Sequence, residues 1–132
     1  MGTAARATVH EQQDFAGGAT AIGASRDFAA AFLARTAGGD GVLVERARLV
    51  VSELVTNAVK YADGPLSLRL DLLPDDLRIE VADSSPVLPE AAGHDPERIG
   101  RHGLEIVKML CRGIEVVPLP RGKRVVVLIP LR

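Results

Sequence analysis

The sequence has only one cysteine, Cys111, among its 132 residues, so no disulfide can form within the chain. Met109 and Leu110 precede Cys111 in a predicted helix, which favours a thiol packed against apolar neighbours over a nucleophile. A single unpaired thiol fits a reducing compartment, and we therefore expect a cytoplasmic protein.

Long apolar runs are also missing. No run approaches the ~20 residues that a membrane-spanning helix needs, and the N-terminus lacks the apolar core of a signal peptide. The formal net charge of −1 argues against a basic surface that would bind nucleic acid directly. A Gly-rich P-loop followed by Lys and Ser or Thr is absent as well. We expect a soluble protein with neither a membrane nor a direct nucleic-acid partner.

The length of 132 residues favours one domain, large enough to bury about two thirds of its unfolded surface without a disulfide or metal. We expect residues 1–6 to be a flexible N-terminus and residues 7–132 to form a single domain. Apolar residues recur at helical spacing in some segments and alternate with polar residues in others. The predicted strands are 7–15, 66–71, 77–82, 114–117 and 124–129, and the predicted helices are 19–37, 42–62 and 104–112.

Hairpin-linked strands and intervening helices in this order predict a two-layer α/β sandwich, with a mixed, largely antiparallel sheet covered by helices on one face. Residues 84–99 contain several prolines and show no period. A connection of this length is usually functional, and we expect it to be a lid that a ligand orders.

The second predicted helix carries Glu53 and Asn57 four residues apart, which places both side chains on one face. A glutamate can accept a proton, and an asparagine offers a neutral oxygen of the kind that Mg²⁺ accepts beside phosphates. A solvated polar stripe is the ordinary interpretation of such a pair. Here, however, Leu54, Val55 and Ala58 surround the two residues, so they interrupt an apolar surface.

Two further features follow in order along the chain. Asp83 stands where a strand ends, and Gly100 and Gly103 stand at the start of the third helix. Each alone is weak, because aspartates often form turns and Gly-x-x-Gly often is only a flexible turn. Together with the helix pair they provide a metal ligand, an acceptor for an exocyclic amine, and a helix N-terminus where phosphate is favoured. Lys123, directly after Gly122, is interpreted as part of a turn, with phosphate binding as the alternative.

These motifs resemble, in order and spacing, those of the ATP-binding domain of the GHKL superfamily, which has the Bergerat fold. Within it, the chain looks most like the anti-sigma-factor serine/threonine kinases and their short bacterial relatives. Segment 51–58 (VSELVTNA) resembles the N box, segment 81–86 (VADSSP) the G1 box, and segment 100–107 (GRHGLEIV) the G2 box.

The resemblance implies a role for each matching residue. Asn57 would hold Mg²⁺ against the phosphates of ATP, Asp83 would accept a hydrogen bond from the adenine amino group, and Glu53 would be the catalytic base. Gly100 and Gly103 would let the lid backbone approach the phosphates, and Arg101, His102 and Leu104 would also belong to the ATP-binding residues. Its implied partners are a sigma factor, an antagonist of the anti-sigma factor, or both, and a homodimer is possible.

Two positions depart from the family pattern. Ser85, followed by Pro86, stands where wider members of the superfamily have glycine. Arg124 stands where relatives frequently have a threonine that helps to hold adenine.

Three functions remain open from the sequence. The first is an ATP-dependent kinase that phosphorylates a small antagonist protein, and the second is a non-catalytic, ATP-gated switch that sequesters a transcription regulator. The third is the catalytic module of a split histidine kinase. It is disfavoured, because no long helical segment with a phosphoacceptor histidine precedes the domain.

Overall fold

The structure is a computed structural model that describes residues 9–38, 40–62, 64–85 and 103–131. Its strands are β1 (Val9–Phe15), β2 (Leu66–Leu72), β3 (Asp76–Asp83), β4 (Gly113–Pro118) and β5 (Lys123–Pro130). The helices are α1 (Thr20–Thr36), α2 (Gly41–Tyr61) and α3 (Gly103–Leu110). None of the helices described is long and apolar enough to cross a membrane.

The strands form one sheet in the order β1-β2-β3-β5-β4, and each described pairing is antiparallel. Helix α1 packs on α2 and on the β1–β2 end of the sheet, while α2 contacts β3, β5 and α3. The expected α/β sandwich with a largely antiparallel sheet is therefore confirmed.

Strand alternation determines which residues of the sheet are buried. The inner face carries a continuous layer of fully or almost fully buried aliphatic side chains. It comprises Leu66, Leu68, Leu70, Leu77, Ile79, Val81, Val125, Val127 and Ile129. Burying each such side chain contributes about 1.5–3 kcal/mol, so this layer and the apolar faces of α1 and α2 hold the two layers together.

Helix α2 begins at a defined cap. One carboxylate oxygen of Asp40 accepts hydrogen bonds from the backbone N–H groups of Val42 at 3.0 Å and Leu43 at 3.3 Å. The cap satisfies donors that a helix start otherwise leaves unpaired. Because the start is fixed, the helical period then places Leu54 and Ala58 in the core and Glu53 and Asn57 beside them.

The outer face of the sheet is charged. Asp71 is buried there between two guanidinium groups, at 3.0 Å from Arg69 and 3.1 Å from Arg78. The hydrogen bond and the charge of Asp71 raise the pKa of Arg69 above its ordinary value. Glu80 extends the series by pairing with Arg78 at 2.9 Å and with Arg124 at 3.6 Å.

Candidate functional site

Helix α2 presents the predicted pair, Glu53 and Asn57, at the edge of its buried face. Both side chains are half-buried, whereas Leu54 and Ala58 beside them are buried in the core. The structure therefore places both residues on one face of a helix, as predicted. Because α2 contacts both β3 and α3, the pair lies on the element that links the other two motifs.

Asp83 is the last residue of β3, as expected, and its side chain is only 2% exposed. Its carboxylate already has partners within the chain. The Lys123 ammonium donates to Oδ1 at 3.1 Å and to Oδ2 at 3.0 Å, and the backbone N–H of Ser85 donates to Oδ1 at 2.8 Å. Lys123 also donates to the carbonyl oxygen of Ser85 at 3.4 Å.

These contacts take up the three donors of the Lys123 ammonium group. They also take both acceptor sites of Oδ1, and leave one at Oδ2 of Asp83. An adenine amino group would therefore reach Asp83 only through this remaining site, or by displacing Lys123. Asp83 and Lys123 thus form a buried ion pair. Removing only one of the two charged groups would destabilise the fold.

Interpreting Lys123 as a turn residue was wrong. It is the first residue of β5, it pairs with Asp83 in the sheet register, and its side chain is only 5% exposed. Strand alternation explains this, because Lys123 falls on the same face as the buried Val125 and Val127. The sequence carried this signal, since the alternation of β5 extends back to Lys123 and that of β3 extends forward to Asp83.

Arg124 lies away from Asp83. Its guanidinium is near Glu80, on the outer face of the sheet. Its register partner is Ala82, whereas Asp83 pairs with Lys123. The residue that lies beside Asp83 is therefore Lys123.

Gly122 brings the β4–β5 turn against the end of β3. It has a φ of +99°, and a Cβ atom there would lie 1.9 Å from the carbonyl oxygen of Asp83 and 2.6 Å from Ser84 Cα. Only glycine fits so close to another backbone at a positive φ. The turn consequently fixes Asp83 and Lys123 relative to each other.

The third motif is described only in part. Helix α3 begins at Gly103, one residue before the predicted start, and neighbours α2. Gly100, Arg101, His102 and the side chain of Leu104 lie outside the described residues, as does most of the predicted lid at residues 84–99. The roles predicted for them stay predictions.

A cavity of about 320 Å³ lies at the end of the sheet beside Asp83. Its described lining comes from β1, β2, β3 and the β4–β5 turn, and includes Asp14, Ser67, Ser84 and Arg121. Neither Glu53 nor Asn57 belongs to that lining, so this cavity is separate from the face of α2. A pocket between α2 and residues 84–99, where we expect the nucleotide to bind, would be bounded on one side by residues outside the described ranges.

Metal binding at this site would depend on few protein atoms. The described residues contain no group of three or more His, Cys, Asp or Glu side chains that could hold an ion by themselves. A magnesium ion bound through one amide oxygen, nucleotide phosphates and water needs no such group. The donor chemistry of Asn57 fits that arrangement.

Cys111 lies just after α3, half-buried against the core. Burial raises the pKa of its thiol to about 11. The thiol is therefore neutral near pH 7, which agrees with the packed, unreactive group expected from the sequence.

The family of histidine kinase-like ATPase domains matches residues 15–129. The chain belongs to this family. No curated protein sequence matches it. The match runs from the end of β1 into β5 and includes α2, β3 and α3, so the histidine kinase-like ATPase domain contains all the predicted site residues. Superfamily membership, of the GHKL type, is confirmed. The family match does not show whether the chain belongs to the branch of anti-sigma-factor kinases.

Proposed function

We propose that this protein binds ATP with Mg²⁺ on the face of α2 that carries Glu53 and Asn57. We further propose that it transfers the γ-phosphoryl group to a serine or threonine hydroxyl of a small antagonist protein. The observation that carries the proposal is the match of a histidine kinase-like ATPase domain over residues 15–129. Glu53 and Asn57 support it, because they lie half-buried on one face of a helix that contacts both β3 and α3.

The residues divide the work by their chemistry. The amide oxygen of Asn57 would hold the magnesium ion, which would supply positive charge beside the phosphates. The Glu53 carboxylate accepts the proton of the attacking hydroxyl, whose oxygen bonds to the γ-phosphorus as the bond to the leaving oxygen of ADP breaks. A base in this role raises the rate about 10²–10⁴-fold. Positioning of the reactants contributes much of the remaining rate enhancement. Backbone groups from Gly100 to Leu104 would contact the phosphates.

A second candidate function is a non-catalytic switch, in which ATP gates the sequestration of a transcription regulator such as a sigma factor. The ion pair between Asp83 and Lys123 favours it. Since the carboxylate proposed to hold adenine is already engaged, nucleotide binding must compete with an internal contact or use the one acceptor site left. Such competition suits a sensor of nucleotide better than rapid turnover. In either function we propose a cytoplasmic regulator, with a homodimer as one possible assembly.

Incubation with γ-labelled ATP, Mg²⁺ and candidate antagonist proteins separates these functions. Wild-type protein should label a serine or threonine of one antagonist. Glu53→Gln should lower transfer about 10²–10⁴-fold while nucleotide binding is kept, because a base acts on the nucleophile and not on the bound nucleotide.

Glu115→Gln makes the same chemical change at an exposed position on β4 and serves as the matched control, with transfer at the wild-type level. Equal transfer by Glu53→Gln and wild type would remove Glu53 from the chemistry. ATP-dependent binding of a partner without any transfer would replace the kinase with the switch.

A further inference from the structure

A second concave surface lies on the helical layer, between α1, α2 and the C-terminal end of α3. It encloses about 580 Å³ and is called here the arginine groove. Its described lining consists of Arg26, Glu45, Arg46, Arg48, Leu49, Ser52 and Leu110. None of these is among the residues proposed to bind nucleotide.

The three arginines of the groove lack carboxylate partners among the described residues. By contrast, Arg35, Arg69, Arg78, Arg112 and Arg124 each form an ion pair. Glu45 and Arg48 are spaced three apart on α2, which would allow a pair, yet the structure gives them none within the described part of the chain. The groove therefore keeps its positive charge available.

Arg26 provides a sharper observation. Its Nε atom is buried and has no hydrogen-bond partner in the described structure. Buried donors are almost always satisfied, so Arg26 would gain a missing hydrogen bond if its guanidinium group turned towards an acceptor in the groove. A carboxylate suits a guanidinium group best, because it can accept two parallel hydrogen bonds.

The groove also has apolar surface. Leu49 is 41% exposed and Leu110 is half-buried, and the neighbouring Met109 is 82% exposed. Aliphatic side chains together with arginines in one groove would accommodate a segment that carries both acidic and aliphatic residues. Since the whole chain has a net charge of −1, the positive groove is a local feature and not part of a generally basic surface.

We propose that the arginine groove is the docking site for an acidic segment of a protein partner, in which Asp or Glu side chains flank Leu, Ile or Val. The carboxylates pair with Arg26 and Arg48, and the aliphatic side chain lies on Leu49 and Leu110. This goes beyond the proposed function, because the contact needs no nucleotide.

The test uses a synthetic peptide in which glutamates flank two leucines, titrated into the ¹⁵N-labelled full chain without nucleotide. We expect a dissociation constant below about 1 mM, the range of weak peptide contacts, with shifts of the Nε–Hε signals of Arg26 and Arg48. A peptide with Gln in place of each Glu is the negative probe. No groove shift with the acidic peptide at about 5 mM, or equal shifts with both peptides, would overturn the proposal.

Matched variants distinguish specific binding at the groove from a general effect of positive charge. Arg26→Gln/Arg48→Gln should weaken the acidic peptide at least about 10-fold, because two charge-assisted contacts are lost. The control Arg35→Gln/Arg124→Gln removes the same charge away from the groove and should change affinity by less than about twofold. Equal weakening in both variants would contradict a specific site.

Glu45→Gln gives an effect of opposite sign that a folding defect cannot mimic. Removing this carboxylate from the groove should tighten peptide binding about 2–5-fold, because a like charge is lost. Weaker or unchanged binding would count against the proposal. Parallel titration with ATP and Mg²⁺ keeps the two proposals apart, since failure of peptide binding leaves ATP binding intact and the reverse also holds.

Discussion

At the residue scale, the buried pair of Asp83 and Lys123 is the feature that most changes the expected site. Each charge compensates the other in a place that water hardly reaches, so removal of one partner leaves an unpaired buried charge. We expect Lys123→Met to lower the free energy of unfolding by about 3–5 kcal/mol, measured by urea denaturation.

Two further variants check this result. Asp83→Asn/Lys123→Met should recover a large part of the loss, because no charge then remains buried. Lys108→Met changes an exposed lysine of α3 and should alter stability by less than about 0.5 kcal/mol. Equal stability of Lys123→Met and wild type would mean that the pair contributes nothing to the fold.

Cys111 offers a second prediction at this scale. Because burial raises its pKa to about 11, the reactive thiolate forms only at strongly alkaline pH. Alkylation by iodoacetamide at pH 8 should be roughly 100-fold slower than that of glutathione and should accelerate as pH rises towards 11. Mass spectrometry gives an unambiguous readout, since the chain has one cysteine. Alkylation as fast as that of glutathione at pH 8 would show that the thiol is open to water.

The sequence predicted the positions of some candidate residues in the fold and missed the position of another, for a physical reason. Glu53 and Asn57 depend on helical spacing alone, which is local, and Asp83 depends on where a strand ends. Lys123 depends on which face of β5 a residue at a turn belongs to, and on a partner 40 positions away. The neighbouring Gly122 favoured a turn position for Lys123, whereas the residue begins β5 and its ammonium group is buried.

At the element scale, the β4–β5 turn holds the end of β3 in place through Gly122. Its φ of +99° and the backbone of Asp83 leave no room for a side chain. Gly122→Ala should cost more than the roughly 1–2 kcal/mol expected of a left-handed conformation alone, because the turn must also move away. Thermal or urea unfolding measures the difference.

Gly38→Ala is the matched control. Gly38 also has a positive φ, +74°, but a Cβ atom there meets nothing within 4 Å. It should therefore show the conformational cost of about 1–2 kcal/mol without the clash. Equal losses in the two variants would contradict the close approach of the turn to β3.

The elements themselves were predictable because their signals are periodic. Alternating apolar residues predicted β2, β3 and β5, and the helical period predicted α1 and α2. The predicted ends differ from those in the structure by a few residues. The strand order β1-β2-β3-β5-β4 was not predicted, since pairing between β3 and β5 joins strands that are distant in the chain. The arginine groove was not predicted, because its members come from three helices whose packing no local pattern reveals.

At the scale of the whole molecule, the two layers carry different charge patterns. The outer face of the sheet neutralises its arginines internally, with Asp71 and Glu80 between them. The helical layer carries the half-buried polar pair on α2 and the arginine groove, whose charges are not paired among the described residues. The magnesium contact and the partner contact that we propose both belong to the helical layer. The division into a flexible N-terminus and one domain over residues 7–132 stays a prediction.

The central claim is that ATP binds through magnesium held by Asn57, the only asparagine in the chain. Calorimetric titration of ATP into the full chain tests it most directly. With Mg²⁺, wild-type protein should give saturable heat, and Asn57→Ala should bind at least about 10-fold more weakly, with no further loss when Mg²⁺ is chelated. Gln13→Ala, which shortens an exposed amide side chain on β1, should bind like wild type. Absence of heat with wild-type protein and Mg²⁺, or equal Mg²⁺-dependent affinity of Asn57→Ala, would contradict the claim.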